Sequence, residues 1–84
     1  MTRLWPQGLA LHVVAPDGLT PQSLVWRGRT HRVVQIVARV RLDERWWRGR
    51  VWREEIQLLT HDGLLLLIAH DLTHDTWLLL RLYD

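Results

Sequence analysis

An alternation of residue types between Thr30 and Leu42 constrains the fold of this chain most. The alternation has a period of two, which only an extended strand places on a single face. The apolar residues of one face are Val34, Ile36, Ala38, Val40 and Leu42, whereas Val33 and Val37 share the other face with Gln35, Arg39 and Arg41. We therefore predict a long strand whose first half is buried on both faces and whose second half is buried on one.

Turn signals divide the rest of the chain into similar short segments. Pro16-Asp17-Gly18, Arg27-Gly28 and Asp62-Gly63 are sequences that favour tight turns, and the last is a strong hairpin signal. Strands are predicted at residues 9–14, 23–27, 30–42, 51–60, 64–71 and 77–83, with a loop over 43–49. The expected fold is all-β: a single small domain over residues 1–84, with five or six antiparallel strands in a closed or half-closed barrel-like sheet.

Composition sets the broad class of protein. The chain has 84 residues and no cysteine, so its stability has to come from an apolar core without disulfides. The absence of cysteine suits a reducing compartment, and we expect a cytoplasmic protein. No signal peptide is expected, because Trp5-Pro6 follows Arg3, and the apolar run 64–69 is far shorter than the roughly 20 residues of a membrane span. No membrane association is expected.

The Asp62-Gly63 turn carries a prediction about strand register. A two-residue loop there would set His61 opposite Leu64 and Leu59 opposite Leu66, and opposite residues share a face. One face would then be an apolar core, and the other would carry Leu59, Leu64, Leu66 and Ile68. That second face is too apolar to face water. Either the barrel buries it, or it forms a protein interface with a partner, including a second copy in a homodimer.

Charge is distributed very unevenly. Residues 26–53 hold nine of the eleven arginines and two acids, a net charge of +7, whereas the remaining residues sum to −5. Trp and Arg are interleaved in the last part of this segment, residues 45–53, as they are in surfaces that stack bases and pair with phosphates. The candidate residues for binding single-stranded nucleic acid are Arg45, Trp46, Trp47, Arg48, Arg50 and Arg53. The structural alternative is that Trp46 or Trp47 closes one end of the core.

The chain offers little for catalysis or metal binding. His61-Asp62, His70-Asp71 and His74-Asp75 contain metal-binding residue types, but neighbours on a strand point to opposite faces, and Asp is common in turns. A metal site at His70 and His74 is the weaker alternative; we predict no metal, no cofactor and no small-molecule substrate. Ser23 is the only serine and lacks the glycines that expose a catalytic serine, so no enzymatic activity and no catalytic residue are predicted.

A series of short motifs resembles a known family. The motifs, in order, are Arg3-Leu4-Trp5-Pro6, Trp26-Arg27-Gly28-Arg29-Thr30-His31-Arg32-Val33, Trp46-Trp47, Arg53-Glu54, Asp62-Gly63 and Trp77-x-Leu79-x-Arg81-x-Tyr83-Asp84. This series resembles the small C-terminal domain of ImuB-type proteins, which are Y-family polymerase-like subunits of the bacterial mutasome, and a group of short stand-alone bacterial proteins. The polymerase carboxylates of that family lie in other domains. The resemblance therefore implies a non-catalytic accessory or interaction module of DNA-damage tolerance.

Overall fold

Seven antiparallel strands form one sheet in the computed structural model, which describes residues 2–46 and 49–83, with the backbone alone at 44–46 and 49–51. The strands are β1 (Arg3–Ala10), β2 (His12–Val14), β3 (Ser23–Trp26), β4 (Arg29–Trp46), β5 (Gly49–Thr60), β6 (Leu65–Asp71) and β7 (Thr76–Tyr83). Their order across the sheet is β1-β7-β6-β5-β4-β3-β2. From β2 to β7 each strand therefore lies beside its neighbour in sequence.

The sheet curls so that its two edges meet at a single residue. The edge strands β1 and β2 are consecutive in the chain, with Leu11 between them, and the Leu11 backbone N–H donates a 3.0 Å hydrogen bond to the Trp77 carbonyl. This arrangement confirms the predicted all-β, barrel-like fold. The first predicted strand, 9–14, is instead two strands. The first of them begins at Arg3 and contains Pro6, which an edge strand tolerates.

The interior of the curled sheet is filled by aliphatic side chains from four strands and from the connection between β1 and β2. Leu11, Leu24, Ile56, Leu58, Leu66, Ile68 and Leu79 form the core cluster. Each fully buried Leu or Ile contributes about 1.5–3 kcal/mol of burial free energy. Trp5, Trp26 and Trp77 pack against this cluster from its margins, and each remains partly exposed. No helix long and apolar enough to cross a membrane occurs among the described residues.

Two bulges interrupt the alternation of β4. The pairing of β4 with β5 shifts between Val33 and Gln35, and again between Ile36 and Ala38. Each bulge inserts one extra residue, so the apolar set predicted for one face is divided between two. Ile36 packs on the core, whereas Val34, Val37 and Val40 are each about half exposed. The predicted burial of the first half of this strand on both faces was therefore wrong, although the strand itself is confirmed.

The turn between β5 and β6 has three residues, one more than predicted. Thr60 N–H donates to the Leu64 carbonyl at 2.9 Å, and Gly63 adopts φ 87°. The Thr60 hydroxyl donates to Asp62 Oδ1 at 2.5 Å and accepts from Leu64 N–H at 3.1 Å. These bonds stabilise the longer turn. Consequently Leu58 pairs with Leu66 and Leu59 with Leu65, one residue away from the predicted register.

The β4–β5 hairpin is longer than its neighbours. The sheet partners of β4 and β5 end at Ser23, opposite Arg32, and at Asp71, opposite Arg53. Beyond these points the Val33 N–H still donates to the Gln22 carbonyl and the Leu72 N–H to the Trp52 carbonyl. The two strands otherwise pair with each other, as far as the Trp46–Gly49 pair. We call residues 42–52 the ribbon. The predicted loop over 43–49 was wrong in extent, because strand pairing continues through most of it.

Candidate interaction surfaces

The outside of strands β5, β6 and β7 carries a set of neighbouring apolar side chains. One row across the strands consists of Leu59, Leu65 and Tyr83, and the next of Gln57, Leu67 and Arg81. Strand alternation places these residues opposite the buried Leu58, Leu66 and Ile68. They are partly exposed and do not belong to the set that packs on the core. We call Leu59, Leu65, Leu67, Arg81 and Tyr83 the outer leucine face.

This face consists largely of residues other than those of the apolar face that the sequence predicts. Leu66 and Ile68 are fully buried in the core, so they cannot contact a partner. Leu64 lies at the end of the β5–β6 turn and packs against the core, and of the four predicted residues Leu59 alone lies on the outer face. The error has a single cause, because a shift of one residue moves every side chain of a strand to the opposite face.

An arginine lies beside the leucines of the outer face. The Arg81 guanidinium is 5.5 Å from the ring centre of Tyr83, and its Nε is buried with no hydrogen-bond partner among the described residues. Two strands away, Arg53 forms a 2.6 Å ion pair with Glu55. Arg53, which we predicted to bind nucleic acid, is therefore already paired with a carboxylate on the outside of β5.

The basic segment is spread along β4 and does not form one patch. Arg27 and Arg29 lie at the β3–β4 turn, whereas Arg45 and Arg50 pair near the end of the ribbon. These groups lie at opposite ends of β4, which has 18 residues. Trp47 and Arg48 lie outside the described residues, as do the side chains of Arg45, Trp46 and Arg50. The backbone register nevertheless sets Arg45 directly opposite Arg50.

A buried carboxylate neutralises the arginines at the base of the ribbon. Glu54 is 8% exposed, and its Oε1 accepts hydrogen bonds from both Nε and Nη2 of Arg39. Arg41 Nη2 lies 3.7 Å from the other carboxylate oxygen of Glu54. Arg39 also donates a 2.9 Å bond to the Leu19 carbonyl, so this network attaches the β2–β3 connection to β4. We assign it a structural role.

The histidines that sequence reasoning considered for metal binding have separate carboxylate partners. His70 is almost fully buried, stacks on Trp77 at 3.9 Å between ring centres, and lies 2.8 Å from Asp75. His74 is exposed and bonds to Asp71 at 2.9 Å. Burial acts to raise the pKa of Asp71, but hydrogen bonds from the His74 side chain and from the backbone outweigh it, so the pKa is lowered. No group of three ligating side chains occurs among the described residues.

The β3–β4 turn forms a further basic site that the sequence analysis did not single out. The Arg27 guanidinium lies over the Trp26 ring, 5.1 Å from its centre, and Trp5 meets Trp26 edge to face at 5.4 Å. Beneath the turn, His31 is 5% exposed and Nδ1 lies 2.8 Å from Asp62 Oδ2. The Arg27-Gly28 turn signal and the basic segment that begins at Trp26 were the features of the sequence that included this site.

Comparisons of the chain with protein-family models, with curated proteins and with solved structures find no match. A function for this chain therefore has to be inferred from the geometry of these surfaces together with the motif resemblance.

Proposed function

We propose that this protein is a non-catalytic interaction module that self-associates through the outer leucine face. The observation that carries the proposal is the position of Leu59, Leu65 and Leu67, which lie side by side outside the core. Association of two such faces removes their apolar surface from water, which is the main driving force in stable interfaces. A second copy of the chain is the proposed partner.

The polar groups of the face support a symmetric contact. Gln57, Leu67 and Arg81 form one row across β5, β6 and β7, with the strands about 4.8 Å apart. A two-fold axis parallel to the strands and through Leu67 sets Leu67 against its own copy. The same axis brings Arg81 against Gln57 of the second copy. The amide oxygen of Gln57 is then an acceptor for the guanidinium N–H groups of Arg81 in the second copy.

The motif resemblance supplies the cellular context of this proposal. On that resemblance alone, we propose that the protein serves bacterial DNA-damage tolerance as an accessory to translesion synthesis. The proposed role is to join protein subunits, since no catalytic residue of the polymerase family carries over to this chain.

Sedimentation over a wide range of concentration tests the self-association, with two substitutions at Gln57. Gln57→Glu gives Arg81 of the second copy a carboxylate, and we expect the dimer to tighten roughly tenfold. Gln57→Lys places a like charge there, and the dimer should weaken by a similar factor. A wild-type protein that stays monomeric at the highest concentration, or two variants that change in the same direction, would overturn the proposal.

A second candidate function is the binding of single-stranded nucleic acid by the end of the ribbon. The observation that favours it is the register, which sets Arg45 opposite Arg50. Like charges directly opposite each other destabilise a strand pair, and a bound phosphate between them would relieve the repulsion. Trp46 and Trp47 are the candidate residues for base stacking.

An oligonucleotide titration at two salt concentrations tests this second function. If Arg45, Arg48 and Arg50 contact phosphates, the slope of log K against log salt should be about −0.7 per contact, or roughly −2 in all. Trp47→Ala should weaken binding by ~1–3 kcal/mol while leaving the fold intact. A salt slope with no effect of Trp47→Ala would indicate a basic surface without stacking, and no binding at low salt would exclude the function.

A further inference from the structure

The β3–β4 turn holds an arginine in a backbone conformation that arginine rarely adopts. Arg27 and Gly28 form a two-residue turn between the paired Trp26 and Arg29, with φ values of 52° and 75°. Asparagine, aspartate and glycine are the usual residues at such a position, because other side chains are strained there. The conformation directs the Arg27 guanidinium over Trp26.

Two arginines at this turn have no carboxylate partner. Arg27 and Arg29 are exposed, and neither forms an ion pair with any described residue. They border a cavity of about 290 Å³ whose apolar part is lined by Leu64 and Leu82. This volume is near the lower end of the roughly 300–1,000 Å³ that ligand pockets occupy. The cavity thus combines two free positive charges with an apolar wall.

The one carboxylate that lines the cavity is already satisfied. Asp62 Oδ2 lies 2.8 Å from His31 Nδ1, and Oδ1 accepts a 2.5 Å hydrogen bond from the Thr60 hydroxyl. The Asp62 carboxylate contacts histidine side chains and the Thr60 hydroxyl, and no described ion pair joins it to Arg27 or Arg29. Those groups are therefore available to an anion from solution.

We propose that this cavity binds a phosphate monoester attached to a planar ring, as in a nucleoside monophosphate. The two guanidinium groups match the charge and the oxygen geometry of a phosphate monoester. Trp26, Leu64 and Leu82 provide the apolar contacts for the ring. The same chemistry is present in a free mononucleotide and at the 5′-phosphorylated end of a single strand. This site lies at the opposite end of β4 from the ribbon and is independent of the outer leucine face.

Calorimetric titration of the wild-type protein with adenosine 5′-monophosphate, adenosine and inorganic phosphate tests the site. We expect the monophosphate to bind most tightly and adenosine most weakly, because the arginines recognise the phosphate. Titration with a 5′-phosphorylated oligonucleotide and with its unphosphorylated counterpart shows whether the ligand is a strand end or a free nucleotide. Tighter binding of the phosphorylated strand than of the mononucleotide assigns the site to strand ends, and the reverse order assigns it to free nucleotides.

Two substitutions separate the site from general basic attraction. Arg27→Asn removes the cation and introduces a residue that accepts the left-handed conformation, so the variant should fold as well as the wild type. Its affinity for the monophosphate should fall roughly tenfold or more. Arg32→Gln is the matched control, because Arg32 is an exposed arginine of the same strand outside the cavity. Equal losses in both variants would overturn the proposal, as would the absence of binding by both phosphorylated ligands at millimolar concentration.

Discussion

His31 and Asp62 are 31 residues apart in the chain, and their side chains meet with Nδ1 2.8 Å from Oδ2. The contact joins the start of β4 to the β5–β6 turn. The Thr60 hydroxyl lowers the pKa of Asp62 most, desolvation opposes this effect, and the His31 ring lowers the pKa further. The net result is a pKa below the ordinary value of 3.8.

A pH dependence of stability follows from this lowered pKa. A carboxyl whose pKa is lower in the folded state stabilises the fold above its unfolded pKa and loses that effect as pH falls through the folded value. Asp62→Asn should therefore be less stable than the wild type at pH 7, and the difference should shrink below about pH 3.8. Urea unfolding at pH 7 and in acid measures this difference. A difference that does not change with pH would show that Asp62 acts without its charge.

The corrected register predicts opposite outcomes for two adjacent leucines. Leu66 is fully buried, so Leu66→Ala should cost ~2–5 kcal/mol in the free energy of unfolding. Leu67 lies on the outer leucine face, and Leu67→Ala should cost roughly 1 kcal/mol or less in the monomer. Leu67→Glu should remain folded and monomeric, whereas Leu66→Glu should unfold. Circular dichroism measures folding and sedimentation measures the oligomeric state of each variant. The reverse pattern would support the register of a two-residue turn.

Glu54 and Glu55 form a second matched pair. Glu54→Ala leaves Arg39 and Arg41 without their carboxylate, and because Arg39 is one-third exposed we expect a loss of about 1–3 kcal/mol. Glu55→Ala removes the partner of Arg53 on the outside of the sheet and should cost only ~0–1 kcal/mol in the monomer. Urea unfolding of both variants, at a concentration where the protein is monomeric, checks the ranking. Equal losses would contradict the structural role assigned to the Arg39–Glu54 network.

Gly8 is required for the approach of β1 to β7. It has φ 81°, and a Cβ added there would lie 2.9 Å from the Cβ of Leu78. Gly18 has φ 77° with no atom near the corresponding position. Gly18→Ala should therefore cost only the backbone term, about 1–2 kcal/mol, whereas Gly8→Ala should cost that term and a steric one. Thermal unfolding of the two variants measures the difference. Equal stability would show that contact with Leu78 adds no steric cost at Gly8.

Local signals in the sequence predicted the central hairpins of this fold, but not the strand over 3–8 or the continuation of strand pairing through most of 43–49. The Arg27-Gly28 turn, the strand through Val33 to Leu42 and a turn at Asp62-Gly63 are all present. These signals predict structure reliably because glycine favours the positive φ of a tight hairpin turn, and alternation with a period of two favours a strand.

The register of β5 with β6 could not be predicted from such signals. The choice of residues for the second apolar face depended on that register. The Thr60 hydroxyl bonds to Asp62 and selects a three-residue turn, a side-chain effect that a dipeptide signal does not contain. The bulges at Val33–Gln35 and Ile36–Ala38 likewise arise from pairing with β5. Of the four residues assigned to the second apolar face, Leu64, Leu66 and Ile68 therefore lie on the core side.

The pairing of β1 with β7 determines when the fold can be completed during translation. Arg3–Ala10 emerges from the ribosome long before Thr76–Tyr83, the strand with which it pairs. At ~5–20 residues per second, the first strand waits roughly 4–15 seconds for its partner. Strands β3 to β6 can pair in the order of their synthesis, but Trp5 and the apolar margin that it covers stay accessible to chaperones and proteases throughout this interval. Any defect in β7 extends that exposure indefinitely, so variants of the last strand should be degraded in the cell more readily than their stability in vitro suggests.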